Sequence, residues 1–338
     1  MKLNYFIFKK VVENRPIIEQ FPLTLDDLRD NLHPDKMKRT CECCFLDINL
    51  ENEPLDINSN QELLDLTVLL DISLETLEEI IEDSRPRLDD YLTYMLILFK
   101  SVKQHPRERD EKTEHQIGLI VYENVIISLH LNQVLDLNQL FQKFRKNPLK
   151  LIRGKGTYII SRYMDTLIDH TIDVIDDWRK FADEIEQDIL GHRISTQKES
   201  LNTLIWIRES IFDTIKILQA DREVVSAMQD AKHSECNPIF IPRELDDHIR
   251  HGIDELDILR QVISDLMNLY FNADASKLNK TMARFSFAAA LLLFPTLISG
   301  IFGMNNTGFP TIPFWVVVIF MVGSMFLVWV FFKYKKLI

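Results

Sequence analysis

The chain has 338 residues, enough for two or three domains, and its 46% hydrophobic content can supply both a core and membrane segments. Of 39 basic and 51 acidic side chains, only Arg284, Lys333, Lys335 and Lys336 lie after Ala283 and no acid does, so the first 283 residues carry a net charge of −16. Such an acidic body excludes nucleic acid as a partner, because phosphate backbones are bound by basic surface, and it favours small cations.

In chain order, the opening MKLNYFIFKKVVENRP has an apolar run of four residues that is interrupted by Lys9 and Lys10. That run is too short for a secretory signal, and the N-terminus is expected to stay in the cytoplasm. Cys41, Cys43 and Cys44 in CECC, with Cys236, form no disulfide framework and fit a reducing compartment. No second cluster completes a usual zinc spacing, so CECC reads as a strand running into a core, with soft-metal binding as the alternative.

Residues 1–140 are expected to form a cytosolic α/β domain. The segments 43–50, 91–102, 116–123 and 124–131 are rich in Ile, Val, Phe and Tyr and read as strands, the last two meeting at Glu123-Asn124. Residues 60–84 have helical spacing, with Asp71 and Ser73 as caps. Residues 141–242 read as antiparallel cytosolic helices, Tyr158–Leu190 and Thr196–Asp230, with Gly191 as a C-cap between them.

A stalk helix is expected over 243–284, where Leu245, Ile249, Ile253, Leu256, Leu259, Ile263, Leu266 and Tyr270 recur at steps of three and four. No Pro or Gly cluster separates this stripe from the next apolar run, so one helix can continue to about Phe302. Its length of about 90 Å exceeds a bilayer and places the lower part in the cytoplasm.

From Phe285 to Phe332, 48 consecutive residues contain no Asp, Glu, Lys or Arg. Two spans fit, in segments 285–305 and 314–332, joined by an outer loop 306–313 and followed by a basic tail 333–338. Lysine and arginine flank both outer ends of this hairpin and are missing from its loop, so both termini are expected in the cytoplasm. A soluble buried hairpin is the alternative, but nothing polar would cover its outer face.

Trp315 and Trp329 near the ends of the second span suit lipid contact. The first span carries small and hydroxylated residues on one face: Asn279, Met282, Ser286, Ala289, Leu293, Thr296, Gly300 and Gly303, ending against Asn305. Such a face packs closely against another helix or lines an aqueous path. One hairpin encloses no pore, so a conducting form must be a symmetric oligomer with this face inward.

Gly303-Met304-Asn305, closing the first of two C-terminal spans before a short loop and a basic tail, resembles the GMN motif of the CorA family of divalent-cation channels. Residues 276–305 are similar to that family's pore helix, RELDDH (243–248) to the start of its stalk, and SRPRLDDYLTYMLILF (84–99) to a segment of its cytosolic domain. The resemblance covers most of the chain in the right order. It implies an α+β membrane protein with an N-terminal cytosolic α/β domain, a long helical stalk and two C-terminal transmembrane helices, assembled as a homopentamer in the plasma membrane. Mg²⁺ is then the substrate and a regulatory ligand, no covalent cofactor is needed, and the partners are divalent cations, lipid and further copies of the chain.

On this reading Gly303, Met304 and Asn305 form the selectivity filter. Mg²⁺ sheds water reluctantly, and a ring of neutral amide oxygens can accept hydrogen bonds from the hydrated ion without stripping it. Met282 and Leu293 would close the path by dewetting or serve only as helix packing, and Thr296 would offer a hydroxyl waypoint. The family's cytosolic metal brake carries over to Glu78 and to Glu244, where relatives commonly have Asp. Near the membrane, where relatives have an acid, this chain has Asn268, with Asp265 nearly one turn earlier. Each of these acids also reads as a solvated surface group.

The loop NTGFPTIP lacks the acid that many relatives place after GMN, so cation concentration at the mouth is expected to be weaker. The related ZntB branch, associated with zinc, shares the architecture and leaves Zn²⁺, Co²⁺ and Ni²⁺ open. His248 and His251 beside Glu244 read as ordinary stalk residues or as a softer-ion site. A non-conducting membrane-anchored scaffold is the other reading, though it gives Asn305 no role. No enzyme is indicated: LKLIRGKGT (149–157) lacks the earlier glycine of a P-loop, and no nucleophile constellation is present. The basic run Lys143 to Lys155 is expected to be a solvated or intersubunit face.

Overall fold

The computed structural model describes residues 2–12, 15–23, 43–50, 61–82, 84–102, 114–122, 125–131, 140, 148–191, 197–230, 243–303 and 313–334. Its elements in order are β1 (Lys2–Val12), β2 (Arg15–Leu23), β3 (Cys43–Asn49), α1 (Gln61–Leu70), α2 (Leu74–Ile81), β4 (Arg87–Asp90), β5 (Met95–Val102), β6 (Glu114–Val121) and β7 (Val125–His130). The helices α3 (Pro148–Leu190), α4 (Gln197–Asp230), α5 (Arg243–Phe302) and α6 (Phe314–Tyr334) follow. The chain divides into two compact units, Met1–Ser264 and Asp265–Ile338.

In the first unit the described strands form one sheet in the order β2-β1-β3-β7-β6-β5-β4. Only the β3–β7 pair is parallel among the pairs described. The sheet is covered on both faces, α1 and α2 on one and α3 and α4 on the other. Double coverage explains the near-continuous apolar runs: every residue of β5 and of β7 is buried. In β3, Cys44, Leu46 and Ile48 join Leu63, Leu66, Leu70, Leu77 and Ile80 of α1 and α2 in one core, while Phe45 meets Tyr163 of α3 at 5.7 Å between ring centroids. The free Cys44 is therefore a core residue. Cys41 and Cys236 lie outside the described residues.

The helical pattern of residues 60–84 resolves into two helices broken at Asp71, which adopts a left-handed φ of 55°, and Ser73 caps α2 by accepting from the Thr76 N–H at 3.1 Å. The far end of α2 is satisfied by β6: Gln116 Nε2 donates to the carbonyls of Glu79, Ile80 and Glu82, and its Oε1 accepts from Ser84 N–H. Gly118 lets α2 lie this close, since a Cβ there would stand 2.5 Å from Cγ1 of the buried Ile80.

On the opposite face, β4 pairs only as far as Arg87 opposite Leu98, two residues short of Lys100. The Lys100 backbone N–H is accepted instead by Asp221 Oδ1 of α4 at 3.1 Å, so a side chain replaces the missing strand neighbour. Asp221 is fully buried, and burial pushes its carboxyl well above the usual range despite the Lys100 contacts. The folded chain thus holds a proton that the unfolded chain releases above its ordinary aspartate pKa of about 3.9. Stability is expected to fall as pH rises from there to the raised native value, by up to about 1.4 kcal/mol per pH unit. Urea unfolding of Asp221→Asn across that window should show a flatter pH dependence than wild type; identical slopes would remove this group as the cause.

Helices α3 and α4 meet through Trp178 and Trp206, edge to face at 6.3 Å. The part of α5 in the first unit docks on both: Gly252 would place a Cβ 3.3 Å from Leu218, and Leu245, Ile249, Leu256, Leu259 and Ile263 are buried. Arg179 of α3 bonds Glu255 of α5 and holds that carboxylate below its usual range. In the first unit β1 and β2 were not anticipated, and α3 begins at Pro148, ten residues before the expected Tyr158.

Candidate functional site

Two places carry the chemistry expected of a cation pathway. In the second unit, α5 and α6 are each long and apolar enough to cross a membrane. They touch through Phe287 and Phe332, 5.2 Å between centroids. Along α5 from Leu278 to Phe302 the less exposed positions are Ala283, Phe287, Ala290, Leu291, Pro295 and Ile298. Asn279, Met282, Ser286, Ala289, Leu293, Thr296 and Gly300 are all exposed. Neither Gly300 nor Gly323 has an atom within 4 Å of where a Cβ would stand, so nothing in the described part of the chain requires glycine there.

Pro295 sits inside α5 and donates no hydrogen bond, which frees the Leu291 carbonyl. One residue on, Thr296 Oγ1 donates to the Leu292 carbonyl at 2.6 Å, leaving its lone pairs directed outward. Gly303 N–H bonds the Ser299 carbonyl at 2.8 Å and ends the helix. Met304, Asn305 and the outer loop up to residue 312 lie outside the described residues.

The second place lies in the first unit. Asp165 and Asp169, one turn apart on α3, face His248 of α5, and one ligand atom from each lies within 4.8 Å of the others. His248 Nδ1 stands 3.0 Å from Asp165 Oδ1 and Nε2 3.5 Å from Asp169 Oδ1. Arg162 contacts the other Asp165 oxygen at 2.8 Å. All three members are half-buried, so a bound ion would be partly shielded from solvent screening. Two carboxylates and one imidazole suit a divalent ion, and the nitrogen shifts preference towards Zn²⁺, Co²⁺ or Ni²⁺ relative to Mg²⁺.

Of the acids expected to bind a regulatory metal, Glu78 is half-buried on α2, Glu244 is exposed in the first turn of α5, and Asp265 is exposed and falls in the second unit. Among the described residues, the group with metal-ligand spacing contains none of them. It contains His248, read from sequence as an ordinary stalk residue or part of a softer-ion site; His251 is exposed. The i, i+4 pair Asp165/Asp169 was the signal available, hidden in a helix crowded with acids.

Compared with known proteins, residues 54–335 match the family described as CorA-like Mg2+ transporter protein. The chain is similar to the cobalt/magnesium transport protein CorA of Thermotoga maritima, 23% identical over 271 residues that cover 77% of this chain and 75% of that one. It is also similar to the zinc transport protein ZntB of Pectobacterium carotovorum, 24% identical over 234 residues covering 68% of each. The solved CorA magnesium transporter of Methanocaldococcus jannaschii superposes with a TM-score of 0.72 at 17% identity, covering 98% of this chain and 97% of that one, which shows the shared fold. With five-sixths of its length matched, the chain belongs to the CorA-like Mg2+ transporter family, whose members are divalent-cation transporters of the membrane and not enzymes.

Proposed function

We propose that this chain assembles as a homopentamer that admits Mg²⁺ to the cytoplasm, driven by the membrane potential and closed by cytosolic divalent cation. The observation that carries this reading is the face of α5 running from Asn279 through Ser286 and Thr296 to Gly300, which is not used against α6. Five such faces turned to a common axis would line a conduit with small and hydroxyl groups, interrupted by Met282 and Leu293 as apolar constrictions. Gly303, Met304 and Asn305 would form the outer filter, with both termini in the cytoplasm by the distribution of Lys and Arg.

No chemical fuel is needed. A divalent ion crossing about 100 mV gains about 4.6 kcal/mol, enough for roughly thousandfold accumulation. The brake would be a cation held by carboxylates of the first unit, at Asp165, Asp169 and His248 within a chain, or at Glu78 and Glu244 across neighbouring chains. The imidazole in the first set favours a second reading, in which Zn²⁺, Co²⁺ or Ni²⁺ is the preferred ion. Purified protein in liposomes loaded with a Mg²⁺-sensitive dye decides between them. Potential-driven Mg²⁺ entry exceeding Zn²⁺ entry is expected; Zn²⁺ flux without Mg²⁺ flux would select the second reading, and no flux of either would overturn both.

A further inference from the structure

We propose an anion site, selective for phosphate groups, in the cavity between α4 and the first two turns of α5. The cavity holds about 480 Å³ and is lined by Arg222, Ser226, Gln229, Asp246 and Arg250, with Gln219 and Glu223 as one wall. Asp246 accepts from Arg222 Nε at 2.8 Å through one oxygen and from Arg250 Nε at 2.9 Å through the other. Two guanidiniums therefore share one carboxylate, and the other acid of the lining, Glu223, is paired with Arg85 from outside it, so the five groups together carry one excess positive charge.

The hydrogen-bond inventory is equally one-sided. Each guanidinium has five N–H donors, and its contact with Asp246 is through Nε. Gln229 Nε2 is buried and has no partner among the described residues. The remaining acid of the wall, Glu223, is held by Arg85 at 2.7 Å. Asp246 thus fixes both forks through their Nε edges, beside a cavity that both arginines line. A tetrahedral dianion suits the two arginines, because its several oxygens accept from two forks at once and its charge exceeds that of a carboxylate.

A soluble phosphorylated compound fits better than inorganic phosphate alone. Gln219 and Glu223 also line an adjoining cavity of about 540 Å³ that contains Arg85, Lys100 and Lys216. Those cations are paired with Glu223, Glu114 and Asp213, and the exposed pairs among them exchange partners at little cost. A phosphate at Arg222 and Arg250 would leave the adjoining space for a second phosphate or for the body of a nucleotide.

The test is calorimetry on the full chain in detergent, in Mg²⁺-free and phosphate-free buffer, with inorganic phosphate, pyrophosphate and ATP as probes and chloride as the control. One phosphate-bearing probe per chain should bind, and Arg222→Gln and Arg250→Gln should each weaken it by roughly tenfold or more. Arg208→Gln, exposed elsewhere on α4, should bind as wild type. Ser226→Trp puts a bulky ring into the cavity lining while keeping both arginines and Asp246, and should also abolish binding, which covers the case that an arginine variant fails to fold. ATP binding more tightly than phosphate upholds the site and assigns the second cavity to the rest of the nucleotide; equal affinities uphold it for the phosphate group alone. No binding of any probe at millimolar concentration, or unchanged affinity in all three cavity variants, would overturn the proposal, whatever the outcome of the flux measurements.

Discussion

Replacing Asn305 by alanine should reduce Mg²⁺ entry into proteoliposomes to the level of protein-free vesicles while the oligomer survives size-exclusion chromatography. A hydrated Mg²⁺ presents outward-pointing water hydrogens, and a neutral amide oxygen accepts from them without competing for the metal itself. A ring of methyl groups at the same height would offer no acceptor, so the ion would have to shed hydration that it gives up reluctantly or remain outside. Asn305→Asp should behave differently: a ring of carboxylates holds the ion more tightly, and flux should fall through slow release with apparent affinity rising. Undiminished Mg²⁺ uptake in Asn305→Ala would refute the filter assignment.

The second large effect is expected at the cytosolic cluster. With ligand atoms within 4.8 Å of one another, an isolated Asp165–Asp169 pair would repel by about 3 kcal/mol at an effective dielectric of 20, and Arg162 on Asp165 and solvent offset part of this. Both acids stand on α3 and His248 on α5, so a cation bound among the three would tie the two helices together and its release would loosen that tie. Asp165→Asn with Asp169→Asn removes both the repulsion and two ligands, so tens-fold more internal cation should be needed to close the pathway. His248→Ala should weaken inhibition by Zn²⁺ more than by Mg²⁺, because the lost ligand is a nitrogen. Inhibition curves of the double variant that superpose on wild type would remove the cluster from the brake and leave Glu78 and Glu244, whose own double alanine variant is the matching control.

Much of this architecture is written in local patterns. The strands at 43–49, 95–102, 114–121 and 125–130 were legible because both faces of the sheet are buried and each contains a run of apolar residues, Ile117–Val121 in the third of them. The β1–β2 pair was not, since Lys9 and Lys10 interrupt its apolar run and the turn lacks an Asn-Gly type signal. The start of α3 was misplaced because Gly154 and Gly156 look like a break, whereas Pro148 at the first helical position marks the true beginning. Gly156 is there for packing: a Cβ would stand 3.3 Å from Ile126 of β7.

The site divides in the same way. The stripe on α5 is periodic and continuous in sequence, so its membership followed from three-four spacing alone. The Asp165, Asp169 and His248 cluster joins an i, i+4 pair on α3 to a residue 79 or more positions away on α5, and the cavity at Arg222 and Arg250 depends on which carboxylate they share. No one-dimensional pattern distinguishes such residues from the solvated charges around them. Asp221 is the extreme case: its burial follows from where β4 stops.

The account stands or falls on which face of α5 meets the ion. Single cysteines placed at Asn279, Ser286 and Thr296, and at Phe287, Leu291 and Ile298 on the face towards α6, can be treated with a small hydrophilic thiol reagent during Mg²⁺ uptake. Modification should block flux at the first three positions and leave it intact at the other three. Block at Phe287, Leu291 and Ile298, with Asn279, Ser286 and Thr296 indifferent, would contradict it.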